Sequence, residues 1–147
     1  MNKPDNTPAS LDPLAARQEK LRAISALGVD PWGGRLDDRE FIGAVRDRAD
    51  EIAFRKPDGT LVQLPDLATQ REGFDFRAWI AEQGEGEMIG PKVRAAGRIV
   101  LQRTAGKLRF VDIRDMTGQI QLFIGKAQVG DGWELSQNFD LGDLIGV

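Results

Sequence analysis

The run VRAAGRIVLQRTAGKLRFVDIRDMTGQIQLFI, residues 93–124, most constrains what this chain can fold into. It reads as three consecutive strands, separated at Thr104-Ala105-Gly106 and at Met116-Thr117-Gly118, the second a tight antiparallel connection. Strand side chains alternate between two sides, so parity sorts each strand into faces. In the third strand Ile120, Leu122 and Ile124 share one side and Gln119, Gln121 and Phe123 the other. In the second, Val111 and Ile113 point inward, while Leu108, Phe110, Asp112 and Arg114 point outward. Arg103 of the first strand shares the parity of Val93, Ile99 and Leu101, which is the core side. It reaches the wet face only if the strand bends or bulges first, and Gly97 and the 104–106 turn are places where that could happen.

Phe110 therefore stands on a polar face, among charged neighbours and beside Gln121. Single-stranded RNA recognition uses such a set: the ring stacks a base, the amide reads its edge, and a guanidinium holds phosphate or base. The alternative is that Phe110 packs beneath a later strand or helix. Charge bears on the choice. The net charge is −3, yet Lys92, Arg94, Arg98, Arg103, Lys107 and Arg109 follow one another with no acidic residue among them. That leaves −9 on the rest of the chain, so a local basic stripe would draw a polyanion to one place. A merely solvated strand face is the competing explanation.

Composition excludes several classes of function. Without cysteine there are no disulfides or thiolate metal sites, and without histidine the usual general base and commonest metal ligand are missing. No carboxylates or lysines pair at a suggestive spacing, so an enzyme complete in these 147 residues is not expected, and neither catalytic, cofactor nor metal residues are assigned. No segment approaches the roughly 18 apolar residues of a membrane span. The polar start MNKPDNTPAS is not a signal peptide, which makes the cytoplasm the default location.

The remainder reads as an N-terminal extension. Residues 1–10 are a polar, disordered lead-in, and residues 11–91 a helical extension with a small hairpin. Asp12-Pro13 starts a helix carrying Leu14, Leu21, Ile24 and Leu27 near one side, and Gly28 ends it. Asp38 is placed to cap a second helix with the stripe Phe41, Ile42, Val45, Ala49 and Ile52. Residues 53–56 and 61–64 flank the turn Pro57-Asp58-Gly59-Thr60, and Phe74 to Gln83 read as a short helix packing Phe76, Trp79 and Ile80.

The chain as a whole reads as α+β, the N-terminal helices being followed over residues 92–147 by three antiparallel strands, a helical stretch from Trp133 to Phe139, and a further strand at Leu144. That order suggests an OB-fold, a five-stranded Greek-key barrel whose second and third strands form the binding face. The chain stops at DLGDLIGV on an apolar residue, so closure is expected to need residues beyond Val147.

The motifs resemble a known family. RQEKLRAISALGVDPW is similar to the opening helix and turn of bacterial class II lysyl-tRNA synthetases. AAGRIVLQRTAGKLRFVDIRDMTGQIQLFI looks like the first three strands of their anticodon-binding barrel, and DLGDLIGV like the start of the fourth. The resemblance covers about 17–35 and 92–147 and carries nothing over to 38–90. It implies that the outward face binds the anticodon of lysine tRNA, whose central base is uridine. It places the stacking aromatic at Phe110, the base-reading amide at Gln121 and an arginine contact at Arg103, with Arg98 as a phosphate contact. Arg103 comes from the resemblance alone. The family's catalytic domain follows the barrel and uses ATP and magnesium to form lysyl-adenylate and charge the tRNA. None of those motifs lies in these residues. The parent would be a homodimer, with no membrane or DNA partner.

Other readings are a free-standing OB-fold module for single-stranded nucleic acid, the equivalent fragment of an aspartyl- or asparaginyl-tRNA synthetase, and a structural or protein-interaction fragment. GVDPW and GKLRF favour lysine among the ligases.

Overall fold

The structure, a computed structural model, describes residues 12–65 and 74–147, so the expected lead-in at 1–10 lies outside the described residues. Helix α1 (Pro13–Ala26) begins as its sequence dictates: Asp12 accepts the Leu14 N–H at 3.0 Å, and Pro13 takes the first turn, where a missing N–H costs nothing. Gly28, at φ +76°, donates its N–H to Ser25 O and ends the helix with a left-handed residue. The apolar side expected of α1 is only half covered. Leu21 and Ile24 are half-buried, but Leu14 and Leu27 are exposed, and no residue of α1 is buried. Docking is polar instead: Lys20 Nζ reaches Asp140 at 2.7 Å and Asp143 at 2.6 Å.

Asp38 does not cap the second helix. It sits in the left-handed region at φ +58°, and α2 (Ile42–Asp47) starts four residues later. The cap comes through space. Asp115, 73 residues downstream, accepts the Ile42 N–H at 2.8 Å, and Thr117 Oγ1 accepts the Gly43 N–H at 2.8 Å. A short 3-10 turn (Ala49–Glu51) follows. Strands β1 (Ala53–Arg55) and β2 (Leu61–Gln63) then pair antiparallel across the 57–60 turn. Helix α3 (Phe76–Gln83) is capped by Asp75, and β3 (Glu87–Ile89) adds to the free side of β1. The three-stranded sheet, in the order β2-β1-β3, buries Phe54, whose ring meets Trp79 edge-on at 6.3 Å.

The second sheet comprises β4 (Ala96–Ala105), β5 (Leu108–Arg114), β6 (Gln119–Gly125) and β7 (Leu144–Gly146), in the order β6-β5-β4-β7 with every pairing antiparallel. Between β6 and β7 lie α4 (Lys126–Val129) and α5 (Gly132–Ser136), the latter bringing Trp133 into the core. Ile42, Ala95, Ile99, Val111, Ile113, Ile124 and Trp133 form that core, flanked by Ile120, Leu122, Phe139 and Ile145. Gly97 is needed where β4 crosses close to β5. A Cβ there would lie 2.8 Å from Arg114 O, a backbone atom that cannot step aside.

Candidate nucleic-acid interface

One extra residue in β4 decides what the outward face presents. Ile99 pairs with Ile113, but Leu101 pairs with Asp112, so the register shifts across Val100. Such a bulge inverts the alternation of every residue after it. Ile99 is 1% exposed and Leu101, of the same sequence parity, is 54% exposed. Arg103 is carried outward with Leu101 and stands opposite Phe110. The irregularity lies at 99–101, at neither Gly97 nor the 104–106 turn.

The register builds two outward rows across three strands. Arg103, Phe110 and Phe123 form one, and Leu101, Asp112 and Gln121 the other. In the first row the Arg103 guanidinium carbon lies 4.1 Å from the Phe110 ring centre. Phe110 meets Phe123 edge-to-face, centroids 5.3 Å apart and planes at 73°. An exposed cation–π contact is worth about 0.5–1 kcal/mol, enough to order the ring and weak enough for a ligand to displace. In the second row Gln121 Nε2 donates to Asp112 Oδ1 at 2.7 Å, and Gln119 Nε2 donates to Asp112 Oδ2 at 2.9 Å. Both carboxylate oxygens are thus engaged by amides, and Gln121 keeps its carbonyl oxygen for something else. Phe110 is half-buried at the foot of this arrangement, whereas Gln121, Arg103 and Phe123 are exposed.

The basic stripe does not survive as one surface. Arg109 has the core-side parity of Val111 and is 7% exposed, its Nη2 donating to Gln102 Oε1 at 2.8 Å. Gln102, turned inward by the bulge, passes the contact on to Phe139 O at 3.0 Å. Arg94 Nη1 donates to Asp37 O at 3.3 Å, outside the two rows. Arg98 lies opposite Arg114, and its Nη1 donates to Gly142 O at 2.7 Å. The run of cations in sequence is therefore split between the two sides of the sheet and its neighbouring loops. Of the residues singled out in the sequence, Arg103, Phe110 and Gln121 converge, and Arg98 is held apart from them near β7.

Three contributors were not in the expected set. Phe123 is 59% exposed, and parity alone had put it on this face, so its signal was available. Asp112 was likewise outward by parity, but its grip on two amides needs the cross-strand register. Leu101 had no signal, since its sequence parity matches the core. A concavity lies elsewhere, lined by Val45, Ile52, Leu64, Met88 and Ile89, and contains none of the outward residues.

A curled antiparallel sheet with aromatic, amide and guanidinium groups converging on its outer face defines a class of protein, and sequence comparison gives it a name. Residues 93–147 match the tRNA anti-codon family, which is described as an OB-fold nucleic acid binding domain. Along nearly its whole length the chain is similar to proteins called lysine–tRNA ligase. It is 30% identical over 140 residues to that of Moorella thermoacetica, covering 95% of this chain and 21% of the relative. It is 31% identical over 137 residues to that of Halalkalibacterium halodurans, covering 92% of this chain and 22% of the relative. It is 27% identical over 148 residues to that of Latilactobacillus sakei subsp. sakei, covering all of this chain and 24% of the relative. The chain thus spans about a fifth to a quarter of the length of these relatives.

Proposed function

We propose that this chain recognises the anticodon of lysine tRNA, as the N-terminal part of a lysine–tRNA ligase. The observation that carries this reading is the Arg103–Phe110–Phe123 row lying beside Gln121 on the outward face of an OB-fold nucleic acid binding domain. Phe110 stacks a base, Gln121 pairs with its edge, and Arg103 exchanges its ring contact for a phosphate or base oxygen. Arg98 contacts phosphate with the guanidinium donors that Gly142 leaves unused.

In this reading the barrel is a five-stranded Greek key, and a strand following β7 completes it. The parent enzyme attaches lysine to its tRNA through lysyl-adenylate. ATP and magnesium are handled by a class II catalytic domain outside these residues, in a cytoplasmic homodimer, and this part alone is not catalytic. The shared name of the relatives supports lysine over an aspartate or asparagine ligase, and over a free-standing module.

Titrating the chain with lysine tRNA and with a non-cognate tRNA, over a range of salt, tests the proposal. Lysine tRNA should bind more tightly, with affinity falling as salt rises. Phe110→Ala should remove a stacking contribution of ~1–3 kcal/mol. Equal affinity for both tRNAs, or an unchanged titration for Phe110→Ala, overturns the assignment.

A further inference from the structure

We propose that Asp112 sets which bases this face accepts. It holds the Gln121 amide in one orientation, so that the site takes a base presenting an imino N–H beside a carbonyl, as uracil and guanine do, and disfavours cytosine and adenine. This rests on the reading of Gln121 as the base-contacting amide and adds to it the residue that gives the amide its polarity.

A glutamine amide has two chemically opposite ends, a carbonyl that only accepts and an NH2 that only donates. Towards uracil or guanine, the carbonyl accepts the imino N–H while an amide hydrogen donates to the neighbouring base oxygen. Cytosine and adenine present the reverse order, a ring nitrogen that accepts and an amine that donates. A free amide turns over and pairs with either pattern, so an unrestrained Gln121 would discriminate poorly.

Asp112 removes that freedom. Its carboxylate is the cross-strand partner of Gln121 and accepts from Nε2 at 2.7 Å. Gln119 occupies the other carboxylate oxygen at 2.9 Å, so the carboxylate is itself held between two amides. Turning Gln121 over would set its carbonyl oxygen against Asp112 Oδ1, two acceptors with no proton between them. A charge-assisted hydrogen bond is lost as well, which corresponds to about tenfold or more in population. The orientation that remains directs the carbonyl and the second amide hydrogen away from Asp112.

The charge of Asp112 makes the same point from the other side. A carboxylate among the outward residues repels a polyanion and lowers affinity for any RNA, so its presence serves affinity poorly and orientation well. Asp112 acts through Gln121 and is a positioning residue.

The test uses the full chain and short RNA hairpins identical except for U, C, G or A at the central anticodon position. Wild-type chain should prefer U over C and G over A. Asp112→Asn should shrink both ratios about tenfold, mainly through tighter binding of the C and A hairpins, because the neutral amide permits Gln121 to turn over and repels phosphate less. Asp112→Ser, which removes the charge with a smaller side chain, is the second variant and should act in the same direction. Preferences retained in both variants overturn the positioning role alone. Variants that weaken all four hairpins alike show a structural role and overturn it too. A wild-type chain with no preference between U and C overturns the reading of Gln121 itself, and this inference with it.

Discussion

The Arg103 guanidinium lies 4.1 Å from the centre of the Phe110 ring, across a strand pair whose register depends on the extra residue in β4. In the free chain the platform thus carries its own cation, and an incoming base has to take that place. Arg103→Lys keeps the charge but loses the planar fork that can grip a phosphate or base oxygen through two N–H donors once the base has displaced it from the ring. It should weaken RNA binding by about fivefold while leaving the salt dependence unchanged. Arg103→Ala should weaken it further and lower the salt slope by about 0.7, the value for one fewer contact to a single strand. Titrations of both variants across salt concentrations separate the fork's geometry from its charge, and a Lys variant indistinguishable from wild type would show that the planar fork is irrelevant.

Phe123 meets Phe110 edge-to-face and is more than half exposed. A ring that only braced its neighbour would matter through the position of Phe110. One that also met a base would contribute stacking of its own, ~1–3 kcal/mol. Phe123→Leu keeps apolar bulk beside Phe110 and removes the π-face. We expect a loss of several-fold in affinity for single-stranded RNA, with thermal stability unchanged because the site faces water. A fluorescent adenine analogue placed next to the central anticodon base should be quenched by the wild-type chain and less so by the variant. Equal quenching would limit Phe123 to bracing.

The docking of α1 rests on a lysine shared between two carboxylates. Partial burial works against the ammonium of Lys20, but the hydrogen bonds and charges of Asp140 and Asp143 outweigh it and raise the group above its ordinary 10.5. A raised lysine contributes stability that is fully present below its unfolded value and is lost as pH rises through the folded one. The contribution is small, since an exposed pair is worth no more than about 1 kcal/mol. Lys20→Met should therefore barely change the global unfolding midpoint near neutral pH. It should speed amide exchange in α1 and in the 140–143 loop. Exchange that stays unchanged in α1 would mean that the helix is held by Leu21 and Ile24 rather than by charge.

Much of this architecture is legible in the amino-acid sequence. Parity alone separated Val111, Ile113, Ile120, Leu122 and Ile124 from Phe110, Gln121 and Phe123, because β5 and β6 run without irregularity. Asp12, Pro13 and Gly28 marked the ends of α1 because caps are local chemistry. The readings that failed depended on partners distant in sequence. Asp38 looked like a cap, whereas the group that reaches Ile42 belongs to the 115–118 turn. Arg103 had the wrong parity, since a bulge at Val100 carries no glycine or proline to announce it. Arg109 was counted with the surface cations although its own parity placed it inside. The role of Asp112 depends on which amides the register sets beside it, and a list of residues does not contain the register.

Asp115 ties the two halves of the molecule together, and its titration should be visible. Burial opposes its ionisation, but hydrogen bonds from the Ile42 N–H, the Thr117 hydroxyl and N–H, and the Gly118 N–H prevail and hold the carboxyl down to about 2, from an ordinary 3.8. A depressed carboxylate contributes stability that is present above its unfolded value and is lost as pH falls through the folded one. The Asp115 contribution should thus be intact from neutral pH to about 4 and disappear on going down to about 2. Asp115→Asn keeps the shape but replaces one acceptor oxygen by a donor, which cannot serve both Ile42 and the turn N–H groups. Its unfolding midpoint near neutral pH should be lower by on the order of 5 °C. Between pH 4 and 2 the midpoint should then fall less steeply than that of the wild-type chain. Thermal denaturation followed by circular dichroism at several pH values measures both effects. Parallel acid limbs for the two proteins would show that some other carboxylate governs acid unfolding and that the through-space cap on α2 contributes little.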